Sequence, residues 1–155
     1  MMHPLNTDTE LVDFILRAKR ATYAGEGAQA ASSRLQSHDL PYREGPYTYL
    51  DTYLGGLQFI GEEAVWFDQQ PLWGMNYYGW MLSETIPTGF SQFLKAALLR
   101  VQADAPYRGP SAWLDGDFAY ACTWQGGLWR FTGQETIAWQ EKPIYQLVFH
   151  GGRIC

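Results

Sequence analysis

The chain has 155 residues, 46% hydrophobic and 16% aromatic, with a net charge of -5 and a pI near 5.1. That length supports a real core in a single domain, residues 1–155. An acidic chain with no Lys/Arg run argues against nucleic acid as a partner, and no apolar run approaches the ~20 residues that a membrane span needs. The N-terminus has neither the basic segment nor the apolar stretch of a secretion signal. Cys122 and Cys155 fit a reducing cytoplasm better than a disulfide framework, and no Cys/His spacing suggests zinc. No metal or cofactor is therefore expected.

The first predicted element is a helix over residues 8–20. Thr7 and Glu10 have capping-box spacing, and Leu11, Phe14, Ile15 and Ala18 make a helical apolar stripe. A long polar stretch, residues 22–45, reads as an ordered loop anchored by Tyr23, Leu35, Leu40 and Tyr42. Its Gly25-Glu26-Gly27 lacks the Lys and the helix of a phosphate loop. Three strands follow, over residues 47–54, 57–67 and 72–80, punctuated by Gly55-Gly56 and by Asp68-Gln69-Gln70-Pro71. A second helix is expected over residues 89–102, capped by Thr88, with Phe90, Phe93, Leu94, Ala97, Leu98 and Val101 on one face. A connector, residues 104–117, leads to strands over 118–124, 128–140 and 144–151.

The two halves resemble each other. Phe59-Ile60-Gly61-Glu62-Glu63 returns as Phe131-Thr132-Gly133-Gln134-Glu135. Pro71, Trp73, Met75, Tyr77 and Gly79 follow the first copy at the spacings of Pro143, Tyr145, Leu147, Phe149 and Gly151 after the second. Pro-Tyr-Arg precedes each meander, at Arg43 and at Arg108. The expectation is an α+β fold of two pseudo-symmetric helix–three-strand (αβββ) repeats, about 8–80 and 88–152, with antiparallel sheets packed against two helices.

Alternation along a strand puts Phe59, Glu63, Val65 and Phe67 on one face, and Phe131, Glu135, Ile137 and Trp139 likewise. A carboxylate among large apolar groups is costly unless it is paired, hydrogen-bonded or protonated. Glu63 and Glu135 are therefore candidate acid–base groups. The structural alternative is that each accepts hydrogen bonds at a glycine bulge marked by Gly61 or Gly133. His38 is suited to proton transfer near neutral pH, with Asp39 beside it as orienting carboxylate or turn residue. Arg34 can bind an anion. His150 ends the last strand next to Gly151-Gly152, where a ligand can approach the backbone. Tyr42, Asn76, Tyr78 and Arg108 complete the candidate ligand-binding set; for Arg43 and Arg108 the simpler role is bonding to loop carbonyls or sheet carboxylates. Asp51 and Cys122 are repeat-equivalent, and Cys122 reads as an inert buried thiol.

Several stretches together resemble the DUF5680 family, a bacterial domain of unknown function. They are residues 18–25, Ser32-Ser33-Arg34 with Ser37-His38-Asp39-Leu40, Asp51-Thr52-Tyr53-Leu54-Gly55-Gly56, Gly61-Glu62-Glu63-Ala64, Met75-Asn76-Tyr77-Tyr78-Gly79, Pro106-Tyr107-Arg108-Gly109-Pro110 and Phe149-His150-Gly151-Gly152. Some relatives follow a helix-turn-helix segment, which implies a sensory role there. This chain starts almost at the domain, so a free-standing binder or enzyme is expected. The paired helix-and-strand pattern also resembles the GyrI-like ligand-binding architecture. The leading functional expectation is a small-molecule-binding domain with an aromatic-lined polar pocket between the repeats, roofed by the segment from Arg34 to Asp39. The alternatives are a small cofactor-independent enzyme using Glu63, Glu135, His38 and His150 for acid–base chemistry, and a protein-interaction domain. A homodimer is the one macromolecular assembly kept in view. A cavity shared by these four side chains is the geometric test of the pocket.

Overall fold

The computed structural model describes residues 7–22 and 27–155. The expectations that touch residues 1–6 and 23–26, including the Tyr23 anchor, lie outside the described residues. The first helix, α1 (Asp8–Ala21), begins at the expected capping box: the Thr7 hydroxyl accepts from the Glu10 amide at 3.2 Å, and the Thr7 amide donates to Glu10 Oε2 at 3.4 Å. This satisfies two amides that a bare helix end leaves unpaired. Leu11, Phe14, Ile15 and Ala18 are fully buried. Lys19, one turn beyond Ile15, shares their side and is buried with them.

The strands are β1 (His38–Glu44), β2 (Tyr47–Gly55), β3 (Gln58–Phe67) and β4 (Gln70–Met81), then, after helix α2 (Phe90–Leu98), β5 (Ala112–Asp115), β6 (Phe118–Gly127), β7 (Arg130–Trp139) and β8 (Lys142–Arg153). All eight lie in one antiparallel sheet, in the order β1-β2-β3-β4-β8-β7-β6-β5. The expected αβββ repeats with more than one sheet are therefore corrected. Each half contributes a helix and four strands, and the two meanders fuse along β4 and β8.

Two physical reasons account for the difference. The outermost strands do not look like strands in sequence. β1 lies inside what reads as a loop and carries Pro41, which has no amide to donate and is tolerated on an edge. β5 has only four residues, inside the predicted connector. The second reason is the seam. Two separate sheets would each leave a long edge of unpaired amides and carbonyls. Pairing β4 with β8, from Trp73↔Arg153 to Met81↔Tyr145, removes both edges.

Smaller corrections concern α2 and the bulges. Gly89, with φ 91°, is the residue before the helix, and Thr88 makes no cap; glycine enters the left-handed region without a Cβ penalty. The expected bulges at Gly61 and Gly133 are absent. The register shifts fall instead between Val65 and Trp66 and between Ile137 and Ala138. The β3–β4 turn has positive φ at Asp68 and Gln69, and the β7–β8 turn at Gln140 and Glu141. Two such residues give the hairpin turn whose twist matches the strands.

Both helices pack on one face of the sheet. Phe14 of α1 stacks on Tyr47 at 4.7 Å, and Phe93 of α2 stacks on Phe118 at 4.9 Å. The opposite face carries no helix among the described residues and exposes Ile60, Tyr78 and Val148. No helix among the described residues is long and apolar enough to cross a membrane.

Candidate functional site: a buried ionic centre beside an aromatic cavity

The repeated Phe-x-Gly-x-Glu motif has a packing explanation. Across β3 and β4, Gly61 faces Tyr77 and Phe59 faces Gly79; across β7 and β8, Gly133 faces Phe149 and Phe131 faces Gly151. In each pair the aromatic ring lies where the glycine's Cβ would be. A Cβ on Gly61 would meet the Tyr77 hydroxyl and come within 2.7 Å of Tyr53 Cβ. We expect Gly61→Ala to lower stability by roughly 1–3 kcal/mol, the usual range for overpacking, in urea denaturation. An unchanged midpoint would show that Tyr77 moves aside freely.

The glutamates of the motif face inward, as alternation requires, and both are buried. Each holds its own cation. Glu135 takes a two-pronged bond from Arg108: Nη2 donates to Oε1 at 2.7 Å and Nε to Oε2 at 3.1 Å. Tyr120 donates to Oε2 at 2.6 Å and Tyr145 to Oε1 at 2.7 Å. Burial pushes the Glu135 pKa up, but Arg108 and the tyrosines outweigh it and hold the carboxyl below its ordinary value. Burial likewise works against the Arg108 charge, and Glu135 more than compensates.

In the first half the cation comes from a different element. Lys19 of α1 donates to Glu63 Oε1 and to the Tyr107 carbonyl, both at 2.7 Å, and Tyr49 donates to the same Oε1. Burial pulls the Lys19 pKa down, opposed by Glu63. The Pro-Tyr-Arg turns are thus unequal. Arg108 serves a sheet carboxylate, whereas Arg43 is exposed on the edge strand.

Asp51 is the fifth member of this centre. It sits opposite Glu63 in the β2–β3 register and accepts from Tyr77 at 2.6 Å. Two cations are matched by Glu63 and Glu135, which leaves Asp51 without one of its own. Burial, and then the nearby Glu63, push its pKa up to about 7, against the opposing pull of Tyr77, Lys19 and Arg108. At the equivalent place in the second half stands Cys122, whose thiol is pushed up to about 12 by burial and by Glu135. Such a thiol is inert at neutral pH.

Two cavities adjoin the centre. One of about 20 Å³ is lined by Lys19, Tyr49, Asp51, Glu63 and Arg108 among others; a space of this size holds a single water. The other, about 330 Å³, lies between α2 and the first-half strands. Tyr53, Phe59, Phe90 and Tyr145 supply rings, Arg108 and Tyr77 join it to the ionic centre, and Lys95 also lines it.

The sequence-predicted residues are divided between the two faces. Arg34, Asn76, Tyr78 and His150 come together on the bare face, in an open groove of about 600 Å³ that also includes Glu62. In register, Glu62 pairs with Asn76 and Asn76 with His150, forming a polar row across the sheet. His38 stacks on Tyr53 at 4.7 Å and lies 3.1 Å from Gln29 Oε1 through Nδ1. Asp39 is a turn-binding residue, accepting from Ser33, Ser37 and Thr52; burial would raise its pKa, but these bonds hold it below its ordinary value. Tyr42 packs near Phe14 and donates to Glu44. None of the cavities described takes in more than one of Glu63, Glu135, His38 and His150, so the expected pocket shared by these four side chains is not formed among the described residues. The segment from Arg34 to Asp39 does not roof the ionic centre; Arg34 donates to Thr52 and lines the bare-face groove. The roof is instead α1, α2 and the loop at Tyr107–Arg108, clasped by Lys19.

Lys19, Tyr49, Asp51, Tyr120 and Tyr145 did not enter the sequence-derived site. A signal was present for two of them. Lys19 falls on the apolar stripe of α1, and Asp51 falls between Tyr49 and Tyr53 on the inward face of its strand.

The fold and the site together define a protein with one open sheet, helices on one face only among the described residues, and a buried ionic centre between the layers. The chain belongs to the DUF5680 family, described as a domain of unknown function, which it matches over residues 51–154. The match takes in Asp51, Glu63, Tyr77, Arg108 and Glu135. It begins after α1 and β1, so Lys19 and the resembling stretches at 18–25 and 32–40 lie upstream of it. No curated protein and no solved structure matches the chain, and the GyrI-like likeness remains an analogy.

Proposed function

We propose that the protein binds a small molecule in the inner cavity between α2 and the β2–β4 strands. The observation that carries this reading is the composition of the cavity wall. Five aromatic side chains together with Leu57, Met81, Ile86 and Leu94 form a largely apolar wall, and the buried groups Tyr77, Arg108 and Tyr145 bring the ionic centre to its surface. The volume, about 330 Å³, falls within the range of small-ligand pockets. Both halves contribute to the wall.

A thermal-shift screen against metabolites tests this. A ligand present at a hundred times its Kd adds about 2.7 kcal/mol to the native state. Ser91 is exposed on α2 and lines the cavity. We expect Ser91→Trp to fold normally and to lose the stabilisation by any hit. Equal stabilisation of the wild type and the blocked variant would place binding elsewhere.

Acid–base catalysis is the second reading, and one observation favours it: Asp51 changes charge near neutral pH and is hydrogen-bonded to a tyrosine of the cavity wall. The two readings part on whether the ligand leaves chemically changed.

A further inference from the structure

We propose that the bare face of the sheet is the interface of a homodimer, in which Glu62 of each copy meets the partner's His150. This face lies on the other side of the sheet from the inner cavity, so the inference is independent of the ligand reading.

Alternation fixes what the face carries. Take the outward positions over 48–54 of β2, 60–64 of β3, 74–80 of β4, 132–136 of β7 and 146–152 of β8. They include one carboxylate, Glu62, and one imidazole, His150, and neither lysine nor arginine. Arg34 reaches the groove from outside these strands and donates to Thr52. Arg130 and Lys142 stand at strand ends, where a polar rim belongs. A sheet face turned to water ordinarily alternates to polar. Here an apolar row runs in register across three strands: Ile60, Tyr78 and Val148, exposed by 55%, 41% and 42%. Tyr78 also stacks on Trp80 at 5.4 Å. Few charges and prominent aromatic rings are the signature of an interface core.

The occupant follows from the symmetry of the pattern. Glu62 and His150 flank Asn76, one strand away on either side, and Ile60 and Val148 flank Tyr78 in the same way. A two-fold axis along β4, between two copies packed face to face, exchanges these flanks. Glu62 then meets the partner's His150, and Ile60 meets the partner's Val148. Asn76 and Tyr78 lie on the axis. Glu62 is exposed and has no ion-pair partner among the described residues, so its carboxylate is available for this contact. An axis across the strands would instead set Glu62 against the partner's Glu62, or bury it on the partner's apolar row; both are unfavourable. The chosen axis leaves the strands of the two sheets nearly aligned, a common packing of antiparallel sheets. The area is also sufficient. Five strands of nine residues or more, at about 4.8 Å spacing and about 3.3 Å per residue, offer roughly 700 Å² in projection, near the ~800 Å² per partner of a standard interface.

The experiment is sedimentation velocity of the full chain across a concentration series reaching the high micromolar range. We expect a reversible dimer. His150→Glu sets a glutamate against the partner's Glu62 and should raise the dimer Kd by about tenfold or more. Glu62→Lys should weaken the dimer as well. Mixed together, the two variants should recover it as a heterodimer, visible by native mass spectrometry, because the lysine of one then meets the glutamate of the other. A wild type that stays monomeric overturns the inference, whatever else covers the face. A dimer that His150→Glu leaves intact overturns it too. So does a mixture that stays monomeric, since the Glu62–His150 contact would then not be the one that was broken. Should His150→Glu fold poorly, Tyr78→Lys brings two lysines together on the axis, and an unweakened dimer would again overturn the inference.

Discussion

Arg108→Met should destabilise the protein by about 3–5 kcal/mol, the usual cost of removing one partner of a buried ion pair. Arg108 is 6% exposed and Glu135 0%, so bulk solvent compensates the lost guanidinium poorly. The variant leaves Glu135 with two tyrosine donors and no counter-charge. The carboxyl should then fold in its protonated form, with its folded pKa above the unfolded one. A carboxyl raised in this way costs stability above its unfolded pKa, so the loss should be largest at pH 8 and shrink as the pH falls towards 4. Urea denaturation at both values measures it, and Arg108→Met with Glu135→Gln should recover much of the loss. A variant within about 1 kcal/mol of wild type at pH 8, the usual ceiling for a solvent-exposed ion pair, would mean that the pair is solvated in solution.

Asp51→Asn should have the opposite sign. The folded Asp51 has a pKa raised to about 7 from an ordinary 3.8. Between these values the native state holds a proton that the unfolded chain has released, so the wild type loses stability as pH rises from about 4 to about 7. Asn cannot ionise, and its Oδ1 can still accept from Tyr77. Relative to wild type, Asp51→Asn should therefore gain on the order of 4 kcal/mol between pH 4 and pH 8. The readout is the difference in urea midpoint across that range. A difference that does not change with pH would show that Asp51 titrates in the fold as it does in the open chain.

These two substitutions act on groups that the sequence discloses unequally. Period-two alternation was enough to bring Glu63 and Glu135 to the inner face, and the repeat said they would be equivalent. The motif could not say that their cations differ, because Lys19 comes from a helix and Arg108 from a loop, and pairing across layers leaves no local spacing. Arg43 and Arg108 share the Pro-Tyr-Arg sequence yet diverge, since Arg43 lies in edge strand β1 and Arg108 lies in a loop over the sheet. The edge strands were lost for a related reason. Pro41 and the charged ends of β1 are features of a strand exposed on one side, and in sequence they resemble a loop. The bare face is legible only residue by residue: the chemistry of Asn76, Tyr78 and His150 singles them out, strand parity turns them away from the glutamates, and Arg34 reaches the same groove from the segment before β1.

The Lys19 clasp has a consequence for how the chain reaches this fold. Its bonds join residues 44 and 88 positions apart, to Glu63 and to Tyr107. Six of the seven strand pairings link sequence neighbours and can close as hairpins; β4 with β8 cannot. The entropy of bringing distant segments together is therefore concentrated in one event, the docking of the two meanders, and the same event seats Lys19 against the Tyr107 loop. The docking also brings the Tyr107–Arg108 loop of the second half over Glu63 and Asp51, so the dry surroundings of the first half's carboxylates are completed by residues of the other half.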